Sequence, residues 1–489
     1  MRILFVNMGA EVLGIEYLSA VLKGKGHEVE LLFDPSPFGG RLTVENRLAA
    51  RLMDLGGRIV RKAAEARPGL VGFATFTDTF WWVRRVAEGI RERAGAPVVF
   101  GGVHASLLPR EMLESGCADA VLVGEGEISL PALVERMEGG NGLEDPPEGV
   151  YTKRDAGRES FPGSPIVKEL DGIPFPDKAL FYEKAPVLEE HYMIVSGRGC
   201  PFRCTYCCSD GMRELAGGRD YVRRRSSVNV VEELKAWKRR GRMRLVVFRD
   251  DVFTTGAAWL REFAAAYRRE VGLPFFCYAY PGTLNAERAD LLKEAGCVFM
   301  TMGVQSADEA IRREELGRAH TNEAVVETAR LVKERGIRLS VDHIIGSPGG
   351  REEDLRKAAL FYGAMKPDRI LVFWLTYYPG TEMLKRARER GELGDDDMKK
   401  IRDGAIPFRN VGGMVRKGVR GKLRFALLFE LIPLLPARWI EFAVRRGLYR
   451  YVPPLFPLYN ALMLLNAVRI RDAMFFHAVK YALSRKRAP

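Results

Sequence analysis

Cysteine is sparse in this 489-residue chain, seven residues in no even or regular pattern. That argues against a secreted disulfide scaffold and fits a reducing cytoplasm. No charged lead, apolar core and cleavage site precede the first apolar run, Ile3-Leu4-Phe5-Val6, so no signal peptide is expected. Long apolar runs are missing too. Each one near the carboxyl end is broken by Glu, Pro or Asn before the ~20 residues a membrane-spanning helix needs. Acidic residues are scarce at one end only: from Arg416 onward fifteen Lys or Arg face three Asp or Glu, so that region carries twelve of the thirteen net positive charges. A hydrophobic content of 47% is that of a globular protein, and the length suggests two or three domains.

What is present is concentrated around position 200. Gly199-Cys200-Pro201-Phe202-Arg203-Cys204-Thr205-Tyr206-Cys207 places three thiols in one short loop, with three and then two residues between them. A cubane 4Fe-4S cluster normally takes four thiolates, so three leave one iron open to a small molecule. A structural zinc knuckle would need a fourth Cys or a His at suitable spacing. Cys208 is badly placed next to Cys207, and no His follows closely. A chance grouping is the remaining alternative.

This loop directly follows the apolar segment Tyr192-Met193-Ile194-Val195-Ser196, and together they resemble the signature of radical S-adenosylmethionine (SAM) enzymes. The resemblance implies that Cys200, Cys204 and Cys207 ligate a 4Fe-4S cluster whose open iron binds SAM. It also implies that the reduced cluster cleaves SAM to a 5′-deoxyadenosyl radical, with an electron donor such as flavodoxin or ferredoxin.

Ahead of the loop, apolar strands alternate with helical stretches, the pattern of a parallel sheet covered on both faces. Expected strands are Ile3 to Val6, Glu28 to Leu32, Leu70 to Phe73, Pro97 to Phe100 and Ala120 to Val123, with helices at Ile15 to Lys25, Glu45 to Ala66, Phe80 to Ala94 and Leu108 to Ser115. Ligands of such sheets bind beyond the carboxyl ends of the strands. The loops there, Gly101 to Ala105 and Gly124 to Glu127, with Gly14-Ile15-Glu16-Tyr17-Leu18, are similar to the cobalamin-binding domain of one large radical SAM subfamily. That resemblance implies cobalamin contacts from Gly14, Gly102, His104, Gly124, Glu125, Gly126 and Glu127. The Asp-x-His-x-x-Gly motif that supplies a lower cobalt ligand elsewhere is absent; the corresponding turn reads Asn7-Met8-Gly9-Ala10-Glu11-Val12. A Rossmann-like domain that binds no corrin is the alternative.

After a Pro- and Gly-bearing linker, six strands starting at Tyr192, Arg244, Phe275, Val298, Arg338 and Ile370 predict a partial (β/α)6 barrel with its chemistry at the carboxyl ends. Placed on these strand ends, the family pattern implies SAM contacts from Tyr206, Asp250, Asp251, Gln305, Ser306, Asp342, Gly346, Tyr377 and Tyr378. One of the two Asp residues is alternatively a helix cap. Tyr278, Tyr280, Trp374 and Tyr377 are expected near the substrate gap, and Cys277 and Cys297 read as core thiols.

The fold class is therefore α/β: a Rossmann-like domain over residues 1–144, a linker over 145–185, a partial barrel over 186–395 and a basic, apolar, mostly helical region over 396–489. In that last region Phe425 to Pro436, Trp439, Phe442 and Leu455 to Leu465 stand beside clustered basic residues that include Arg485-Lys486-Arg487. This composition suits helices lying in a membrane interface, with packing on the barrel as the alternative. Nucleic acid is disfavoured, because no binding module is recognisable. The resulting expectation is a cobalamin-dependent enzyme, cytoplasmic and peripheral to the membrane, that C-methylates a lipophilic substrate. Alternatives are a cyclase or rearranging enzyme acting on a tetrapyrrole or lipid, or an RNA-modifying radical SAM enzyme. The last would bring a second cysteine trio, whereas Cys117 stands alone in the first 199 residues.

Overall fold

Ile3, Leu4, Phe5 and Val6 are apolar on both faces of a strand, which only a sheet covered on both sides can bury. In the computed structural model, which describes residues 1–35, 54–218, 220–405 and 418–483, they form the centre of β1 (Arg2–Met8). β2 (Glu28–Asp34), β3 (Leu70–Ala74), β4 (Val98–Gly101), β5 (Ala120–Leu122) and β6 (Val150–Thr152) complete a sheet of order β2-β1-β3-β4-β5-β6. All pairs are parallel except β5 with β6. β6 falls in the stretch read as linker. Helices Leu13–Gly24 and Phe80–Ala94 lie where expected. The second buries Phe80, Val83, Val86, Ala87 and Ile90 along one face, at helical spacing, and stops at the left-handed Gly95. Of the helix expected over 45–66, Gly56–Ala66 is helical, Asp54 and Leu55 precede it outside the helix, and 45–53 lie outside the described residues.

The second sheet is wholly parallel. β7 (His191–Ile194) leads into a two-stranded ribbon of β8 (Gly197–Arg198) and β9 (Arg223–Arg224); β10 (Leu245–Phe248), β11 (Phe275–Ala279), β12 (Cys297–Gln305), β13 (Arg338–Ile345) and β14 (Arg369–Trp374) follow. Its order, β14-β13-β12-β11-β10-β7, follows the chain, so successive crossovers wind one way into a partial barrel. Alternation on β13 separates two faces. Leu339, Val341, His343 and Ile345 turn outward, His343 against Tyr362 and Phe429, while Asp342 and Ile344 turn inward. Cys277 and Cys297 are core thiols, their sulfurs 3.9 Å apart.

The carboxyl-terminal region divides between core and surface. Phe425, Leu427, Leu428 and Phe429 of helix Val419–Leu431 are buried against the helical layer. The interfacial role expected of that stretch is thus corrected: its apolar face is taken by the barrel. Helices Ala437–Arg445 and Phe456–Arg469 keep more of their apolar surface outside. Arg485 to Arg487 lie outside the described residues.

Residues 469–481 then cross the lower end of the barrel, from the first residue of β14 to that of β7. Arg469 donates to the Asp368 carbonyl (2.7 Å), Asp472 pairs with Arg369, and His477 stacks on His191 at 3.9 Å and donates through Nε2 to the Val187 carbonyl (2.7 Å). Ile470 and Met474 pack with Leu245, Val247, Phe276 and Phe299 inside the barrel. The segment forms a floor.

Candidate active site

The cysteine loop is rooted by a carboxylate. Asp250, at the end of β10, accepts from Ser196 N at 3.0 and 3.1 Å and from Ser196 Oγ at 2.6 Å, fixing the exit of β7. Both of its oxygens face Ser196, so its first task is to anchor the exit of β7. The neighbouring Asp251 stays open to solvent in a recess, where surrounding protein and then Cys207 push its carboxyl up to about 6. Gly199 is required at its position, since it has φ +83° and a Cβ there would lie 2.3 Å from the Tyr221 carbonyl. Further along, Thr205 N donates to Leu316 O (3.2 Å), Met383 N to Thr205 O (2.8 Å) and Cys207 N to Cys204 O (3.0 Å).

Cys204 is buried, while Cys200 and Cys207 are half-buried. Burial pushes the Cys200 thiol up to about 12 and raises Cys204, while a hydrogen bond from Cys208 brings Cys207 down to about 6. Among the described residues no three His, Cys, Asp or Glu side chains converge on a point that one metal ion could occupy. Three thiols of one loop suit a cubane, which takes thiolate ligands, better than a zinc knuckle, which needs a fourth Cys or a His.

Across the barrel mouth, the chain kinks between Gly303 and Gln305, with Gln305 at φ +70°. A cavity of about 240 Å³ opens there, lined by Ser306, Ile344, Gly346, Ser347, Lys422 and Phe425 among others. Ser347 Oγ is buried in its wall without a partner. Tyr206 and Ile344 border the apolar group of Leu316, Leu375 and Tyr377. An apolar slab beside an unsatisfied hydroxyl fits a nucleoside, so the residues present suit SAM. Ser306 and Gly346 line the same cavity. Asp342 is not in that wall; it faces the barrel interior, its Oδ1 buried and unpartnered, and burial pushes its carboxyl up to about 7. Tyr377 donates instead to Glu392 (3.2 Å), and the Tyr378 carbonyl accepts from Thr381 (2.7 Å). Tyr280 stacks on Phe202 at 3.5 Å, Tyr278 accepts from Arg249 (2.7 Å), and Trp374 packs on the outer core.

The amino-terminal domain faces this mouth with the carboxyl ends of its strands. Gly102 is left-handed, and a Cβ there would lie 2.9 Å from the Thr75 carbonyl. Gly124, after β5, donates its N–H to Ser106 Oγ (2.9 Å). Gly9 and Gly14 border open space, with nothing within 4 Å of their Cβ positions, and Gly126 abuts Leu18. Small residues around open space fit a bulky planar ligand such as a corrin. Three other expected cobalamin residues serve differently. His104 is buried, with Nε2 donating to the Arg402 carbonyl (3.1 Å) and Nδ1 accepting from Thr77 (3.0 Å). Glu125 pairs with Arg223 and Arg198, and Glu127 with Arg198. These carboxylates fasten the domain to the β8–β9 ribbon beside the cysteine loop. Leu107 completes the contact, wedged so that a Cβ on Gly211 or Gly380 would come within 2.9 or 2.8 Å of it.

Sequence reasoning missed the partners of these groups, because Arg198 and Arg223 lie on two-residue strands too short to show a pattern and far in sequence from the carboxylates they meet. It also missed a buried ion cluster, in which Lys178 binds Glu11 at 2.7 Å and Glu16 at 2.8 Å with no exposure.

A Radical SAM superfamily model matches residues 194–362 and a B12 binding domain model residues 6–134. Similar curated proteins include an uncharacterized methyltransferase of Pyrococcus horikoshii, 27% identical over 65% of this chain and 69% of that protein. An anaerobic magnesium-protoporphyrin IX monomethyl ester cyclase of Rubrivivax gelatinosus is 23% identical over 81% and 71%. A hopanoid C-3 methylase of Methylococcus capsulatus is 26% identical over 83% and 74%. Among solved structures, the cobalamin- and cluster-bound radical SAM methyltransferase TsrM of Kitasatospora setae superposes with a TM-score of 0.63, at 22% identity over 80% of this chain and 78% of that one.

Proposed function

We propose, for a chain that is a radical SAM enzyme carrying a B12-binding domain, that it C-methylates an unactivated carbon of a lipophilic, membrane-associated substrate. When bound, the 4Fe-4S cluster, SAM and cobalamin supply radical generation and methyl donation. Cys200, Cys204 and Cys207 would hold the cluster, the cavity at Ser306, Gly346 and Ser347 would hold the nucleoside, and the loops at Gly9, Gly102 and Gly124 would hold the corrin. The tight contact of Leu107 with Gly211 and Gly380 would help to keep water out of the gap between the two domains, as radical chemistry requires.

The distribution of exposed apolar surface carries the substrate reading. Among the described residues, twelve of the twenty large apolar side chains left exposed lie between Leu435 and Val479, Trp439 at 55% and Leu455 at 54% among them. Arg438, Arg445 and Arg446 flank them. No described helix is long and apolar enough to cross a membrane, so the band suits an interfacial contact. Relatives named for a hopanoid and a porphyrin ester support an apolar substrate, and the cyclase supports ring closure as the second reading.

The test is anaerobic reconstitution followed by iron, sulfide and corrin analysis, with flotation on anionic and neutral vesicles. We expect four irons, one corrin, release of 5′-deoxyadenosine on reduction, and binding to anionic vesicles that falls at least tenfold in W439A/F442A. Equal flotation of variant and parent would reject the membrane reading, and four irons without corrin would reject methylation by cobalamin.

A further inference from the structure

Gly317 and Arg318 run alongside the cysteine loop. A Cβ at Gly317 would lie 2.8 Å from the Arg203 carbonyl, and this close approach turns Arg318 inward, where it is 6% exposed. Its Nη2 donates to the Gly303 carbonyl at 2.6 Å. Nη1 donates to Tyr206 Oη at 3.1 Å and to Cys204 Sγ at 3.2 Å. The flat face of the guanidinium covers the Tyr280 ring at 4.2 Å, and that ring stacks on Phe202 of the cysteine loop. The hydrogen-bond partners of this buried cation are therefore a carbonyl, a phenol and a thiol. Of these, the Cys204 sulfur is the one that becomes a full anion when it ligates iron.

We propose that Arg318 is a positioning residue for the iron-sulfur cluster, a buried cation that orients the Cys204 thiolate and raises the cluster's reduction potential. The effect is electrostatic and rests on the cluster reading above. One-electron reduction adds a negative charge to the cluster, and a fixed positive charge with an N–H···S bond on one ligand stabilises that state more than the oxidised one. The guanidinium keeps its charge in this setting, because it does not deprotonate in proteins. Its three-sided anchorage prevents it from turning away.

The experiment uses the full chain, reconstituted anaerobically and without SAM, and reads potential rather than turnover. Redox titration followed by visible absorbance, with electron paramagnetic resonance of the reduced state, is compared for the parent, R318Q and R318K, with iron and sulfide counted in each. We expect R318Q to load iron like the parent and to titrate at a more negative potential, with R318K in between, because it keeps the charge and loses the fork that reaches Cys204. An R318Q potential equal to or above the parent's, at equal iron content, would overturn the proposal. Should R318Q fail to load iron, R318K decides: a more negative potential supports the role and an unchanged one refutes it. A parent that loads no four-iron cluster would instead overturn the cluster reading itself.

Discussion

His104 shows how one buried side chain ties a domain contact to pH. Its Nε2–H is given to the Arg402 carbonyl and its Nδ1 lies 3.0 Å from the Thr77 hydroxyl, and burial holds the ring down at about 4 against an ordinary value near 6.5. The folded state binds a proton less readily than the unfolded one. The stability this site contributes is therefore complete above about pH 6.5 and is lost progressively as pH falls toward 4, on the order of 3 kcal/mol in all. Thermal melting from pH 7.5 to 4.5 should fall less steeply in H104Q than in the parent; parallel slopes would contradict the linkage. The sequence showed a His after a glycine loop and nothing of its partners, one of which is 298 positions away. The three cysteines were legible because their spacing lies within a single loop. Arg318, which reaches Cys204 across 114 positions, carried no such local signal.

At the level of elements, strands with apolar residues on both faces were readable because a doubly covered sheet leaves them no polar side. β6 escaped notice, since three residues in a stretch rich in Pro and Gly have too short a pattern to distinguish. The carboxyl-terminal helices were only half legible. An apolar face says that something covers it, and composition alone does not separate barrel from lipid, so Phe425 to Phe429 proved to be core while Trp439 and Phe442 stayed outside. The floor segment was not foreseen, because its meaning depends on where it lands. Ending the chain after Arg471 removes Met474 and the His477 contacts and uncovers part of the lower barrel layer. We expect such a truncation to bind a hydrophobic dye strongly and to melt several degrees lower, the loss of buried methylenes costing about 2–5 kcal/mol. Unchanged dye fluorescence would mean that the segment does not seal the barrel.

Across the whole molecule, the two sheets are locked by charge as well as by apolar contact. Lys178 lies between Glu11 and Glu16 of the amino-terminal domain and close over the Tyr192 ring of β7, at 4.8 Å. Burial raises the Glu16 carboxyl well above its ordinary range. Removing the cation alone, in K178M, leaves two carboxylates facing each other out of water and should cost about 3–5 kcal/mol. Replacing all three, in E11Q/E16Q/K178M, should restore much of the loss, and denaturant midpoints would show the order. A single mutant as stable as the parent would mean that the cluster carries no load.

The floor of the barrel also dictates an order of events during synthesis. Val187 and His477 are separated by 290 positions, and Tyr481 hydrogen-bonds to Gly9 across 472. At the ribosome's ~5–20 residues per second, the first interval alone takes roughly 15 to 60 s. Phe299, the last wall residue made, precedes Met474 by 175 positions, so for roughly 9 to 35 s Leu245, Val247, Phe276 and Phe299 form an apolar basin with no lid, of the kind that chaperones capture.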